Sequence, residues 1–133
     1  MASQPPTLSY DDLAEKAKSY FAAVDNKDLD LVLSLFAPDA TFTVQTGHMT
    51  VTGLDELRSM FVNFMGSSRT MRHDIRHITV DERARKVCTE HTYTGELDDG
   101  TKNNMQNCNF FDVGEDGRFT RVVVWMAGAN PLK

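Results

Sequence analysis

A chain of 133 residues, 41% hydrophobic and 25% charged, is long enough to bury one core without staples and is ordinary in balance for a globular domain. Its net charge of −5 speaks against nucleic-acid or anionic-membrane binding, since either needs a concentrated basic patch. No run approaches the roughly 18 apolar residues of a membrane span, and Cys88 and Cys108 are too few for a disulfide framework and lack metal-ligand spacing.

The opening Met-Ala-Ser-Gln-Pro-Pro-Thr has neither the basic nor the apolar region of a signal peptide, so residues 1–10 read as a flexible arm. A cytoplasmic location with both thiols reduced is the simplest expectation. The first helix is predicted from Ser9 or Asp11 to Asp25. Leu13, Ala17, Tyr20, Phe21 and Val24 share one face, and Asp11 and Asp12 suit the positive end of its dipole. Asp28 is placed to cap a second helix with Leu29, Val32, Leu33 and Phe36 as its buried stripe, stopped by Pro38. A strand is expected over 40–46, with Phe42 and Val44 on one face, followed by a turn at Gly47 toward 49–52.

Thr52 and Asp55 have capping-box spacing for a third helix. Leu54, Leu57, Phe61 and Phe64 recur at helical intervals there, and Gly66 is the expected stop. After Ser68 come long segments, over 71–80, 85–97, 102–113 and 118–127, rich in Thr, Val, His, Asn and aromatics. Turns at Asp81-Glu82-Arg83, Asp98-Asp99-Gly100 and Gly114-Glu115-Asp116-Gly117 separate them. Long strands joined by tight turns make a meander, so the fold class is α+β: three N-terminal helices packed on a curved antiparallel sheet. One domain spans residues 11–128, with a tail over 129–133.

A three-residue loop with Gly100 left-handed pairs Leu97 with Thr101. His91 then faces Asn107, Thr89 faces Asn109 and Tyr93 faces Met105, all on one side of the sheet. Cys88, Glu90, Thr92, Cys108 and Phe110 take the other side. A two-residue Asp99-Gly100 loop would break this pairing. His, Asn and Tyr on the face meant for the core imply a hydrogen-bond network or a wet, ligand-holding cavity.

The stretch over 20–40 resembles the corresponding part of bacterial ketosteroid isomerases, including its Asp-Leu-Asp break and its Phe-Ala-Pro-Asp-Ala-Thr entry to the strand; Gly117 before the last strand matches as well. From Leu13 to Met126 the order of elements also resembles SnoaL-like polyketide cyclases and scytalone dehydratase. The resemblance implies the cone-shaped nuclear transport factor 2-like fold. Tyr20 falls on the position of the isomerase tyrosine that donates to a developing oxyanion, and Asn109 falls near its partner acid. An amide donates without any pKa tuning, and such donors contribute on the order of 3–4 kcal/mol each at the transition state.

The isomerase's proton-shuttling carboxylate falls on Val44, and the last strand, Val122-Val-Val-Trp-Met126, carries no acid. Histidine is therefore the candidate base. His73 and His77 are placed on one face of their strand, with His77 expected at its far end or on the surface. His73 and His91 look like the two pocket histidines of scytalone dehydratase, whose asparagine maps to Asn107 or Asn109. The expected catalytic set is His73, His91, Tyr20 and Asn109. Asn107, Phe42, Val44, Phe61, Phe64, Met71, Met105 and Val124 are expected to bind substrate.

His48 reads as a solvated hairpin residue, and Asp39, Asp98, Asp99, Glu115 and Asp116 as turn formers. Neither a metal nor a cofactor is expected, because no tight His/Asp/Glu constellation, Gly-rich phosphate loop or Ser-His-Asp set is evident. An epoxide hydrolase of the same fold would need an inward Asp-Arg-Asp set, whereas Arg72, Asp74 and Arg76 alternate away from His73. Arg121, Val123 and Trp125 are expected on the outer sheet face, which suggests a homodimer. The expected function is isomerisation, cyclisation or dehydration of an apolar polyketide- or terpenoid-like metabolite of secondary metabolism. A non-catalytic small-molecule-binding or dimeric assembly module is the alternative.

Overall fold

The computed structural model describes residues 7–127; residues 1–6 of the expected arm over 1–10 and the expected tail over 129–133 lie outside the described residues, while Ser9 and Tyr10 belong to the start of the first helix. Helix α1 (Tyr10–Asp25) begins at a capping box in which Ser9 and Asp12 each accept the other's backbone N–H. It ends in a Schellman motif: the Lys27 N–H donates to the Val24 carbonyl and the Asp28 N–H to that of Ala23. Lys27 itself turns left-handed at φ 54°. Asp28 then caps α2 (Leu29–Ser34) through the Leu31 N–H.

Helix α2 stops before Pro38 rather than at it. Phe36 opens strand β1 (Phe36–Val44) and pairs with Phe119, whose N–H donates to the Leu35 carbonyl. Pro38 disfavours helical geometry at Ala37, and it sits in a register break between Phe36 and Thr41 where its missing N–H leaves no ladder gap. Phe36 is buried as expected, but as a strand residue.

A 3-10 turn over Gln45–Gly47 leads to β2 (Met49–Thr52) and then α3 (Gly53–Ser67). The expected Thr52/Asp55 capping box does not form. The Thr52 N–H donates to Glu56 instead, and the Thr52 side chain caps nothing. Gly66 does not stop α3. The last turn continues to Ser67, whose hydroxyl bonds the Asn63 carbonyl, and Ser68 turns extended.

Strands β3 (Ser68–Asp81), β4 (Lys86–Leu97), β5 (Met105–Val113) and β6 (Phe119–Met126) form the expected meander. The six-stranded sheet runs β2-β1-β6-β5-β4-β3, and its β1–β6 pair is parallel. It is therefore mixed rather than antiparallel throughout, because β6 returns beside β1 in the same direction. The Asp98-Asp99-Gly100 loop has the expected form, with Gly100 at φ 88° and the Leu97 N–H donating to the Thr101 carbonyl. His91↔Asn107, Thr89↔Asn109 and Tyr93↔Met105 pair accordingly. Helices α1 and α3 pack on one face of this sheet, enclosing a core that includes Leu13, Phe61, Phe111 and Phe119. Among the described residues no helix is long and apolar enough to cross a membrane.

Candidate functional site

Between α1, α3 and the inner sheet face lies a cavity whose polar wall is Tyr20, His73, His91, Asn107 and Asn109. Phe42, Phe64, Met105 and Val124 are among its apolar wall. Strand alternation puts His91, Tyr93, Asn107 and Asn109 on this wall, and the 3.6-residue period of α1 brings Tyr20 and Val24 to it. The centre of a water molecule has about 20 Å³ to move in, room for little more than one water.

His73 is held from behind by an aspartate. Asp25, the last residue of α1, accepts the His73 backbone N–H at 2.8 Å with one carboxylate oxygen and meets Nδ1 at 2.5 Å with the other. A carboxylate in that place fixes the tautomer that carries hydrogen on Nδ1 and leaves Nε2 free to accept a proton. The imidazole is also clamped by rings, with Phe21 at 4.8 Å and Tyr93 at 4.9 Å between centroids. Both contacts restrict the ring without using its nitrogens.

His91 lies 5.5 Å from His73, centroid to centroid, and its Nδ1 is 3.2 Å from the Thr89 hydroxyl. Burial, helped by the neighbouring His73, pushes its pKa down to about 4. At neutral pH it is an uncharged hydrogen-bonding group. Tyr20 is packed edge-on by Phe21, Phe36, Phe61, Phe111 and Phe119. Burial, and then the Asp25 charge, raise its phenol well above the ordinary tyrosine range, so it stays a donor. Oδ1 of Asn109 is buried without a partner, whereas Oδ1 of Asn107 accepts the Ala127 N–H.

Of the expected substrate-binding residues, Val44, Phe61 and Met71 are buried in the core and do not line the cavity. Their inward direction is right, but neighbouring side chains cover them. His77 does not share the His73 face: a β-bulge between Ile75 and His77 reverses the alternation and leaves His77 exposed. His48 is exposed, and Arg72, Asp74 and Arg76 point away from the cavity. Asp25 is the functional candidate that periodicity alone misses. Its signal is electrostatic, because an aspartate in the last turn opposes the helix dipole. Val24, Tyr93 and Met126 complete the lining. Among the described residues no group of three or more His, Cys, Asp or Glu could hold a metal ion.

Residues 17–122 match the model of the SnoaL-like domain. No curated protein matches the chain by sequence. Solved structures of the same fold include the epoxide hydrolase/cyclase-like enzyme SalBIII of pyran ring formation in the polyether salinomycin. It is 15% identical with TM-score 0.81, over 90% of this chain and 94% of that one. An LEH-like epoxide hydrolase of M. tuberculosis is 21% identical with TM-score 0.76, over 87% and 83% of the two chains. A protein of Catenulispora acidiphila with a ketosteroid isomerase-like fold, in complex with trimethylamine, is 16% identical with TM-score 0.74, over 83% of each.

Proposed function

Because the chain belongs to the SnoaL-like domain family, we propose that it is a cofactor-independent enzyme of proton-transfer chemistry. Its substrate would be an apolar polyketide- or terpenoid-like metabolite of secondary metabolism, isomerised, cyclised or dehydrated next to a carbonyl. The observation that carries this reading is the Asp25 carboxylate at 2.5 Å from Nδ1 of a cavity-lining His73. In the proposed step Nε2 of His73 takes a proton from the carbon beside the carbonyl. Tyr20 and Asn109 donate to the carbonyl oxygen as it becomes an enolate. The imidazolium then returns its proton to a second carbon or to a departing hydroxyl.

His91, neutral at the pH of the cell, orients the substrate by one hydrogen bond, and Asn107 supports it. The cavity must widen for a metabolite, and Met105 and Met126 are the flexible side chains able to yield. A single domain over residues 11–128, a homodimer and a cytoplasmic location belong to the same reading.

The test begins with a panel of aromatic and terpenoid metabolites, detecting by mass what is retained and what is converted. With the converted compound, His73→Ala is expected to lose 10²–10⁴-fold in kcat and Tyr20→Phe on the order of 10²–10³-fold. Wild-type rates in both variants would sink the assignment. The small cavity favours a second reading, a non-catalytic binding or assembly module. Retention of a metabolite that the wild-type protein never converts would put that reading in its place.

A further inference from the structure

The outer sheet face carries two thiols that the cavity chemistry does not use. Cys88 on β4 and Cys108 on β5 are both free and partly buried, and their Sγ atoms stand 3.5 Å apart. The register explains the meeting. Cys88 faces Phe110 while Cys108 faces Glu90, so the two are diagonal neighbours on the same side of an antiparallel pair. The two thiols are within S–H···S hydrogen-bond distance, and forming a bond needs the sulfurs to close to about 2.05 Å.

We propose that Cys88 and Cys108 are a redox modification site, closing into one reversible intramolecular disulfide when the protein meets a peroxide. The step balances with hydrogen peroxide as oxidant. One sulfur attacks a peroxide oxygen, the O–O bond breaks, and a sulfenic acid and one water result. The second sulfur attacks the sulfenic sulfur, the S–S bond forms, the S–O bond breaks and a second water leaves. Two thiols are oxidised and one peroxide is reduced, with both thiol protons ending in water.

The order follows from the surroundings. Burial, the hydrogen bond and charge of Cys108, and the Glu90 carboxylate push the Cys88 thiol up to about 12, which makes it the poorer first nucleophile. Cys108 therefore reacts with peroxide and Cys88 resolves. Diagonal Cα atoms typically lie about 7–8 Å apart, at the limit of what a disulfide spans without backbone movement, so closure needs β4 and β5 to draw together at this point, and a reductant that opens the bond lets them relax. This inference stands apart from the cavity reading and survives its failure.

The test uses the whole reduced wild-type chain, treated with hydrogen peroxide and then catalase. Thiols are counted in denaturant with an aromatic disulfide reagent, intact mass is measured, and a non-reducing gel is run. Trp125, the sole tryptophan and the cross-strand partner of Cys108, gives a fourth readout by its fluorescence. The expected result is that both thiols disappear together, the chain loses two hydrogens and stays a single chain on the gel, and the fluorescence falls. A dithiol should reverse all of these changes. A Cys88→Ser chain should stop at a sulfenic acid that dimedone labels. Two thiols surviving peroxide, oxygen added without loss of hydrogens, or a disulfide-linked pair of chains would each overturn the proposal.

Discussion

Burial beside His73 holds the His91 imidazole at a pKa of about 4 instead of 6.5, and this couples its protonation to folding. The folded state prefers the neutral ring. The stability it contributes is complete above pH 6.5 and is lost as pH falls through the window down to about 4. A shift of this size corresponds to roughly 3 kcal/mol. Across that window the wild type should lose stability in urea melts more steeply as pH falls than His91→Asn does. Parallel curves would show that His91 is not kept neutral. At this scale the site was half legible. His91, Asn107 and Asn109 could be assigned inward because the Asp98-Asp99-Gly100 turn sets one register for two strands. Asp25 could not, because it meets His73 only through tertiary packing across 48 residues of chain.

Helix α1 presents the aspartate, so its two ends do different work. The Ser9 box sets where the helix starts, and the Schellman motif at Lys27 sets where Asp25 stands. Ser9→Ala removes one arm of the box at an exposed position and is expected to cost about 1 kcal/mol in a urea melt. The affinity for any retained metabolite should be unchanged, because Asp25 lies at the other end of the helix. No loss of stability would mean that the box is decorative; a loss of affinity would mean that the start of α1 also positions Asp25. Element existence was readable because 3.6-residue and two-residue hydrophobic periods differ sharply. Boundaries were less so. Phe36 satisfies a helical stripe and a strand equally, and only its pairing with Phe119 decides between them. The bulge before His77 left no mark in the pattern of residue types, so that histidine was assigned to the wrong face.

At the scale of the molecule, among the described residues the sheet has one face covered by helices and one bare. On the bare face Trp125 is 50% exposed and Phe110 43% exposed. Val123 points the same way but is itself buried at 5%. Arg121 and Lys86 flank this apolar centre, each paired with Asp112. An aromatic centre with a charged rim is the anatomy of a protein interface. A standard interface takes about 800 Å² per partner, roughly a tenth of the chain's 7476 Å², which one face of a six-stranded sheet can supply. Sedimentation equilibrium should therefore find a dimer for the wild type and a monomer for Trp125→Glu, whose side chain is exposed enough to be changed without disturbing the core. The same variant should lose its Cys88 and Cys108 thiols to peroxide faster, since each lines one of the two hollows beside Trp125 that a partner would cover. A wild type that sediments as a monomer at every concentration would remove the dimer. Unchanged association in Trp125→Glu would move the interface to another surface.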